Sequence, residues 1–423
     1  MGRIVKAFHK LWSYLVTGKG IRETWKKLWN GFWKELDRIL GVLAREIYKR
    51  KTKIIPNKVF FYTQEFRYCC NPKYICEELR KQCPDVDIVW RVSPKDQGGV
   101  PRGIRTVQAG TFGFYEEVFS SKIIVANSYI FLDQTLFLKK DQILIQTWHG
   151  SLGIKNFGKF DMKDSWRRIW ASVVTGKMTD YCITNSSFVS NSLRRTYWPK
   201  TPMLEYGHPR NDLFFDTSRG KRELLRKELC EKWEMEPEYK FVMYGPTFRD
   251  NKNFECYNID FEHLVEALES RFGGKWVVLL RYHPSLRKEV KRQGYSPCAD
   301  EKYKVIDVTG YVDMQELIAV SDAAITDYSS WIYDFMLLRR PGFIFATDIK
   351  LYNNERGFNY PLETTPFPIA TNNDELINNI LRFNYNQYSA DVEAFLQDKG
   401  CVEDGHASER VVELIKKIIA EEE

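Results

Sequence analysis

The sequence predicts an α/β protein of two facing Rossmann-like domains, preceded by amphipathic helices suited to a membrane surface. Three observations carry this. Short β-rich apolar runs alternate with helical stretches, the pattern of doubly wound parallel sheets. The alternation comes in two consecutive series, separated by the turn-rich stretch Gly207–Asp216. A chain of 423 residues also exceeds what one hydrophobic core supports, so two domains of roughly 150–200 residues are expected.

The first series of strands runs Lys58–Thr63, Asp87–Val92, Lys122–Ala126, Gln142–Gln146, Tyr181–Thr184 and Pro202–Tyr206, with Tyr74–Gln82 helical after the first of them. The second runs Lys240–Tyr244, Trp276–Leu280, Lys304–Val308, Ala323–Thr326 and Gly342–Phe345. Helices are expected at Phe261–Phe272, Met314–Ser321 and Trp331–Leu338, and a last one at Ser408–Glu421. The expected divisions are helices over 1–55, a first domain over 56–206, a second over 207–385 and a helical segment over 386–423.

Residues 1–55 carry their own chemistry. Ile4, Phe8, Leu11, Trp12 and Leu15 recur at helical spacing, as do Trp25, Leu28, Trp29, Phe32, Trp33, Leu36 and Leu40. Lys6, Lys10, Lys26, Lys27, Lys34 and Arg38 fall away from these stripes. Trp and Leu faces opposite basic faces describe helices lying on an anionic bilayer. An amphipathic hairpin packed on the protein's own core or on another subunit is the alternative. No run of about 18 apolar residues exists to span a bilayer, and Lys6 and Lys10 break any signal-peptide core. The basic cluster Tyr48–Lys53 is expected to mark the boundary with the globular body.

The net charge of +7 is uneven: residues 1–55 hold +10 and the remainder −3. An acidic body argues against nucleic-acid binding. Nine cysteines show no C-x-x-C spacing, so zinc ribbons and thioredoxin-type motifs are not expected and free thiols in a reducing cytosol are. Neither a Walker A sequence nor G-x-G-x-x-G occurs. Asp85-Val86-Asp87 enters a strand in a part of the first half not expected to carry chemistry. No metal or redox cofactor is called for.

Two of the 6 histidines follow apolar strands: His149 in Ile-Gln-Thr-Trp-His-Gly, His283 in Leu-Arg-Tyr-His-Pro. Ligands of open α/β sheets gather at the carboxyl ends of strands. A structural hydrogen-bonding role is the bland alternative for each. Ile325–Ser330 also leaves a strand and opens a helix, so Ser329 and Ser330 beside unpaired backbone N–H groups form a candidate diphosphate site. Simple N-capping is compatible with the same pair. Gly245–Asp250 places Arg249 at the cleft with Asp250 available to orient it.

Taken in order, Gln146–Gly150, Asn185–Phe188, Gly207–Asp212, Pro246–Asp250, Arg281–Pro284, Asp322–Ser330 and Gly357–Asn359 resemble the CDP-glycerol glycerophosphotransferase family of teichoic-acid primases and polymerases. The matching stretch covers about half of the chain. The resemblance implies a glycosyltransferase-B architecture and a monotopic protein on the cytoplasmic face of the membrane. It implies metal-independent transfer of an alditol phosphate from a CDP-alditol to a hydroxyl, releasing CMP. Residues 1–55 leave no room for a further folded N-terminal domain, which suggests a primase-like form.

On this reading His149 is the general base for the acceptor hydroxyl, as a neutral imidazole suits. His283 serves the donor diphosphate, Ser329, Ser330 and Arg249 hold its oxygens, and Asp327 orders the loop. Arg281 either binds the donor or pairs structurally with a nearby carboxylate. His149-Gly150-Ser151-Leu152-Gly153-Ile154-Lys155 departs from the family's commoner His-Gly-Thr-Pro-Leu-Lys, so Gly150, Ser151 and Lys155 are expected to border the acceptor. The expected partners are CDP-glycerol or CDP-ribitol, a lipid-linked saccharide or polymer acceptor, and an anionic membrane surface. A nucleotide-sugar transferase is disfavoured, since Asp322 and Asp327 stand where such enzymes carry glutamates. A catalytically idle scaffold would have lost the histidines.

Overall fold

The computed structural model describes residues 42–129, 136–153, 155, 166–196, 198–216, 219–249, 255–283 and 305–421. The amphipathic stripes over residues 1–41, together with Asp250, Ile154 and Pro284, lie outside the described residues.

Thirteen described strands form two sheets, in which every neighbouring pair is parallel. The first contains β1 (Ile55–Tyr62), β2 (Asp87–Arg91), β3 (Arg105–Val107), β4 (Ser121–Ala126), β5 (Ile143–Gln146), β6 (Tyr181–Thr184) and β7 (Met203–Glu205), in the order β3-β2-β1-β4-β5-β6-β7. The second contains β8 (Lys240–Tyr244), β9 (Trp276–Leu280), β10 (Val305–Asp307), β11 (Ala323–Thr326), β12 (Gly342–Phe345) and β13 (Ile369–Ala370), in the order β10-β9-β8-β11-β12-β13. All residues of β4, β9, β11 and β12 are buried, as expected when helices cover both faces of a parallel sheet.

Of the eleven expected strands nine form within their expected limits, and five of them, Tyr181–Thr184, Lys240–Tyr244, Trp276–Leu280, Ala323–Thr326 and Gly342–Phe345, have the same ends. Two edge strands are additional, β3 and β13. They are three and two residues long and only partly buried, so neither has an apolar run to betray it.

The helices are α1 (Cys70–Gln82), α2 (Phe112–Ser120), α3 (Trp166–Met178), α4 (Ser187–Thr196), α5 (Arg219–Lys232), α6 (Phe261–Phe272), α7 (Met314–Val320), α8 (Trp331–Phe335), α9 (Ile349–Arg356), α10 (Asn373–Leu381), α11 (Tyr385–Asp398) and α12 (Ala407–Ala420). The packing revises the expected divisions at both ends. Residues 42–51 are helical, and their Ala44 and Tyr48 pack with Phe114, Leu136 and Met178. The basic cluster therefore lies inside the folded body. At the other end, Val411, Val412, Ile415 and Ile418 of α12 join the core of the first sheet, with Ile75, Leu79 and Ile183. Asp212 fastens that return by accepting the N–H groups of Ala407 (3.0 Å) and Ser408 (2.7 Å).

Each sheet reverses its winding once, between β1 and β4 in the first and between β8 and β11 in the second. Crevices at such switch points, outside the carboxyl ends of the strands, are where ligands bind. The two switch-point loops are Thr63–Phe66 with Asn127–Ser128, and Gly245–Arg249 with Asp327–Ser330.

Candidate active site in the interdomain cleft

The two switch points contribute to one pocket of roughly 230 Å³. Its first-domain wall holds Gln64, Glu65, Cys69, Cys70, Asn127 and His149; its second-domain wall holds Arg281, Asp313, Ser329, Ser330 and Asp334; Arg210 lies at the joint.

His149 is held from several sides. Trp148 before it has φ 50°, in the left-handed region, which bends the chain out of β5. That turn is secured by Gln146 Oε1, which accepts the Trp148 N–H (3.0 Å), and by Asn71, whose Nδ2 donates to the carbonyls of Thr147 (3.0 Å) and Trp148 (3.2 Å). Gly150 is required by space, because a Cβ there would stand 2.8 Å from Trp148 Nε1. The imidazole Nδ1 lies 2.6 Å from the carbonyl of Asn127. A carbonyl only accepts, so Nδ1 carries the hydrogen and Nε2 offers a lone pair to the cleft. Solvent reaches the ring along the cleft, yet protein surrounds it. Burial pushes its pKa below the ordinary imidazole value, and the charges of Arg210 and Arg168 add to the push against the Asn127 bond. Among the described residues Nε2 has no hydrogen-bond partner, and a neutral ring in that state is chemically able to take a proton.

Arg210, in the segment joining the domains, is a site residue that the sequence does not single out. Its Nη1 donates to the carbonyl of His149 (2.9 Å), while Nε and Nη2 meet Asp334 at 3.1 and 2.9 Å. Asp334 also accepts from Asn211 (3.2 Å) and Gln315 (3.1 Å). Beneath them the buried side chain of Glu403 accepts from Asn211 (2.8 Å) and from the His208 N–H (3.1 Å). Burial and the charge of Asp334 raise its pKa to about 8.

On the second-domain wall the expected roles divide. Asp327 does order its loop: Oδ1 accepts from the N–H groups of Thr247 (2.8 Å) and Tyr328 (2.5 Å), and Oδ2 meets Arg249 at 2.8 Å. Arg249, expected to hold diphosphate oxygens, is instead buried and committed. It forks onto Asp348 (2.7 and 2.9 Å), touches Asp327 and donates to the Thr247 carbonyl (2.7 Å). Tyr328 and Tyr352 flank it, their ring centroids 5.0 and 4.9 Å from its guanidinium carbon. Burial opposes its charge, but the bonds to Asp348 and the charges of Asp327 and Asp348 outweigh that and raise its pKa. Its position makes it the organiser of the loop.

Arg281 lines the pocket, but its Nη1 donates to the carbonyls of Val308 (3.0 Å) and Tyr311 (2.9 Å). That nitrogen is held structurally by carbonyls, and the charges of Glu65 and Asp313 act on the guanidinium from nearby. His283 stands with its ring 5.8 Å from that of Phe248. Burial, then the charges of Lys155 and Arg281, push its pKa below the ordinary value. Ser329 and Ser330 both line the pocket, although α8 is only five residues long and Ser330 makes no side-chain cap.

The loop after His149 crosses the cleft. Ser151 is buried and its hydroxyl accepts from Asn185 (3.1 Å), a structural contact. Lys155 pairs with Phe358 in an antiparallel bridge, and its Nζ is 3.2 Å from Thr247 Oγ1 in the second domain. Asn359 donates to the carbonyls of Gly153 (3.3 Å) and Lys155 (2.8 Å), and Tyr360 donates to that of Leu152. Lys155 therefore reaches the second domain, beyond the acceptor border expected for it. Asn127 and Asp348 also belong to the site without having stood out in the sequence. Each follows a strand end closely, a positional signal that could have found it.

Two facing doubly wound domains with an imidazole on one wall of the cleft and hydroxyls on the other have the architecture of the glycosyltransferase-B fold. The chain belongs to the CDP-Glycerol:Poly(glycerophosphate) glycerophosphotransferase family, whose profile matches residues 46–417. It is 30% identical over 374 residues to the teichoic acid poly(glycerol phosphate) polymerase of Staphylococcus epidermidis, covering 84% of this chain and 50% of that protein. The chain thus spans about half the length of the curated relatives it matches first. It is 27% identical to the teichoic acid glycerol-phosphate transferase of Staphylococcus aureus, covering 86% and 94% of the two chains. The wall teichoic acid polymerase TagF aligns with TM-score 0.77 and 28% identity over 93% and 99%. A UDP-GlcNAc 2-epimerase from Neisseria meningitidis, 11% identical, shares the fold alone, with TM-score 0.52 over 85% and 100%.

Proposed function

We propose that this protein transfers glycerol phosphate from CDP-glycerol to a hydroxyl of a lipid-linked acceptor in cell-surface polymer synthesis, releasing CMP. The observation that carries the reading is the tautomer of His149, with Nδ1 engaged and Nε2 bare in a pocket shared with Ser329 and Ser330. His149 takes the proton of the acceptor hydroxyl as its oxygen attacks the β-phosphorus, in line with the departing CMP. Ser329 and Ser330 donate to the diphosphate, and His283 assists on the donor side. A TagF crystal soaked with CDPG, with TM-score 0.76 and 27% identity over 93% and 98%, supports the donor.

A ribitol donor is the second reading. It is favoured by 27% identity to the teichoic acid ribitol-phosphate primase of Bacillus spizizenii, over 91% of this chain and 98% of that one. A transfer assay pairing CDP-glycerol and CDP-ribitol with a synthetic lipid-linked disaccharide separates them by product mass. One added unit marks a primase and a ladder marks a polymerase. Absence of transfer from both donors overturns the proposal.

Membrane association belongs to the same proposal. Leu43, Ile47, Phe112 and Trp166 are exposed at 55%, 58%, 67% and 79%, large apolar groups that suit a bilayer interface. Among the described residues no helix is long and apolar enough to cross a membrane. Flotation with anionic liposomes tests the contact: removing residues 1–41 and replacing Trp166 by Ser should each weaken it. Undiminished flotation of the doubly altered protein sinks it.

A further inference from the structure

One charged group in the pocket is unused by this mechanism. Glu65 lies at the first-domain switch point, in the loop leaving β1, and is exposed in the cleft. Among the described residues its carboxylate makes no hydrogen bond or ion pair, although the charge of Arg281 across the pocket acts on it, whereas Asp313, Asp327 and Asp334 of the second domain all make such bonds.

Its placement is enforced. Phe66, the next residue, has φ 58°, a left-handed conformation that disfavours a bulky side chain. The strain is held by Arg91, whose guanidinium carbon lies 3.4 Å from the Phe66 ring centroid, and by the Ser93 N–H on the Phe66 carbonyl (2.9 Å). Cys70, at φ 60°, and Trp148 are strained alike, so three of the five described non-glycine residues at positive φ border this one wall. Asn127 then ties the loop to the base. Its Oδ1 accepts the Gln64 N–H (2.9 Å), while its carbonyl accepts Nδ1–H of His149 (2.6 Å). One residue thus fixes Glu65 and His149 relative to each other.

We infer that Glu65 is the acceptor-recognising residue: its carboxylate accepts hydrogen bonds from hydroxyls of the acceptor's terminal sugar or alditol, leaving a neighbouring hydroxyl to face Nε2 of His149. The inference rests on the transfer reading above. A bare carboxylate repels the donor diphosphate and suits a neutral polyol, whose hydroxyls are donors. Its position opposite Ser329 and Ser330 puts the acceptor on the far side of the reacting phosphorus from the nucleotide.

The test measures transfer kinetics for Glu65→Gln and Glu65→Ala, varying CDP-glycerol and the lipid-linked disaccharide separately. Loss of charge-assisted hydrogen bonds should raise the acceptor KM about tenfold or more. The donor KM should stay within about twofold. An acceptor lacking the hydroxyl bound by Glu65, but keeping the one that faces His149, should be poor with the wild-type chain and no poorer with the variants. An unchanged acceptor KM in both variants overturns the assignment. So does an equal rise in donor KM, which would make Glu65 a closure contact for Arg281. Failure of the wild-type chain to transfer from either donor instead removes the functional reading itself.

Discussion

The two switch points face each other across one cleft and are built by opposite means. In the second domain, Arg249, Asp327 and Asp348 compensate one another beneath Ser329 and Ser330 through a full set of bonds. In the first domain, strained backbone at Phe66, Cys70 and Trp148 borders the pocket, and Glu65 makes no hydrogen bond or ion pair among the described residues. The difference teaches what each wall does. A wall of internally satisfied charge is rigid before any ligand arrives, which lowers the cost of ordering it around one. A wall that stores strain and exposes polar atoms has its partners supplied by a ligand.

The largest expected effect breaks the compensated wall. Arg249→Met leaves the buried carboxylate of Asp327 and the half-buried one of Asp348 without their cation, and should cost about 3 kcal/mol of stability; a denaturant titration showing under ~1 kcal/mol would mean that the network is ornamental. Next comes the strained wall. His149→Ala should lower turnover roughly 100-fold or more with the fold intact, and near-normal transfer with unchanged thermal unfolding would reject the base assignment.

Joining the two walls is the loop across the cleft. A Cβ at Gly153 would meet Ser330 Cβ at 2.9 Å, so Gly153→Ala should lose about 1–3 kcal/mol through overpacking and raise the donor KM. A donor KM unaffected by the substitution would show that the loop does not press on the donor wall. The pH profile sharpens the contrast further. His149 must be neutral to act, and burial lowers its pKa from 6.5. The acid limb of kcat/KM should accordingly have its midpoint below pH 6.5, and a midpoint above it contradicts the burial argument.

The smallest effect concerns the joint. Glu403 titrates near 8 when folded against 4.5 for a free side chain. The folded state keeps a proton that the unfolded state releases, so this group's contribution is complete below pH 4.5 and is lost as pH climbs to about 8. Glu403→Gln should flatten the fall in Tm across that window. A parallel fall in both proteins would locate the titration elsewhere.

Much of the fold is legible in the order of the amino acids. Five strands have the expected ends because β-branched runs buried on both faces admit little else. The edge strands β3 and β13 are not legible, since partly buried segments of two or three residues carry no period. His149, Ser329 and Ser330 are found by position after a strand. The role of Arg249 is misjudged for a physical reason: an arginine beside a strand end reads identically whether its partners are phosphate oxygens or Asp348, 99 residues away. Arg210 lies inside a motif that the sequence does single out, yet its bond to the His149 carbonyl crosses between elements far apart in the chain.

The sequence by itself determined the alternation of strands and helices, the two sheets and the residues at their carboxyl ends, because periodicity and strand termini are local properties. Only the tertiary structure decided which of those residues are spent on each other. It set the tautomer of His149 through Asn127, committed Arg249 to two carboxylates, returned α12 to the first domain and left Glu65 open to the cleft. These are matters of distance between segments remote in sequence, and charges compensate one another only across short distances in space.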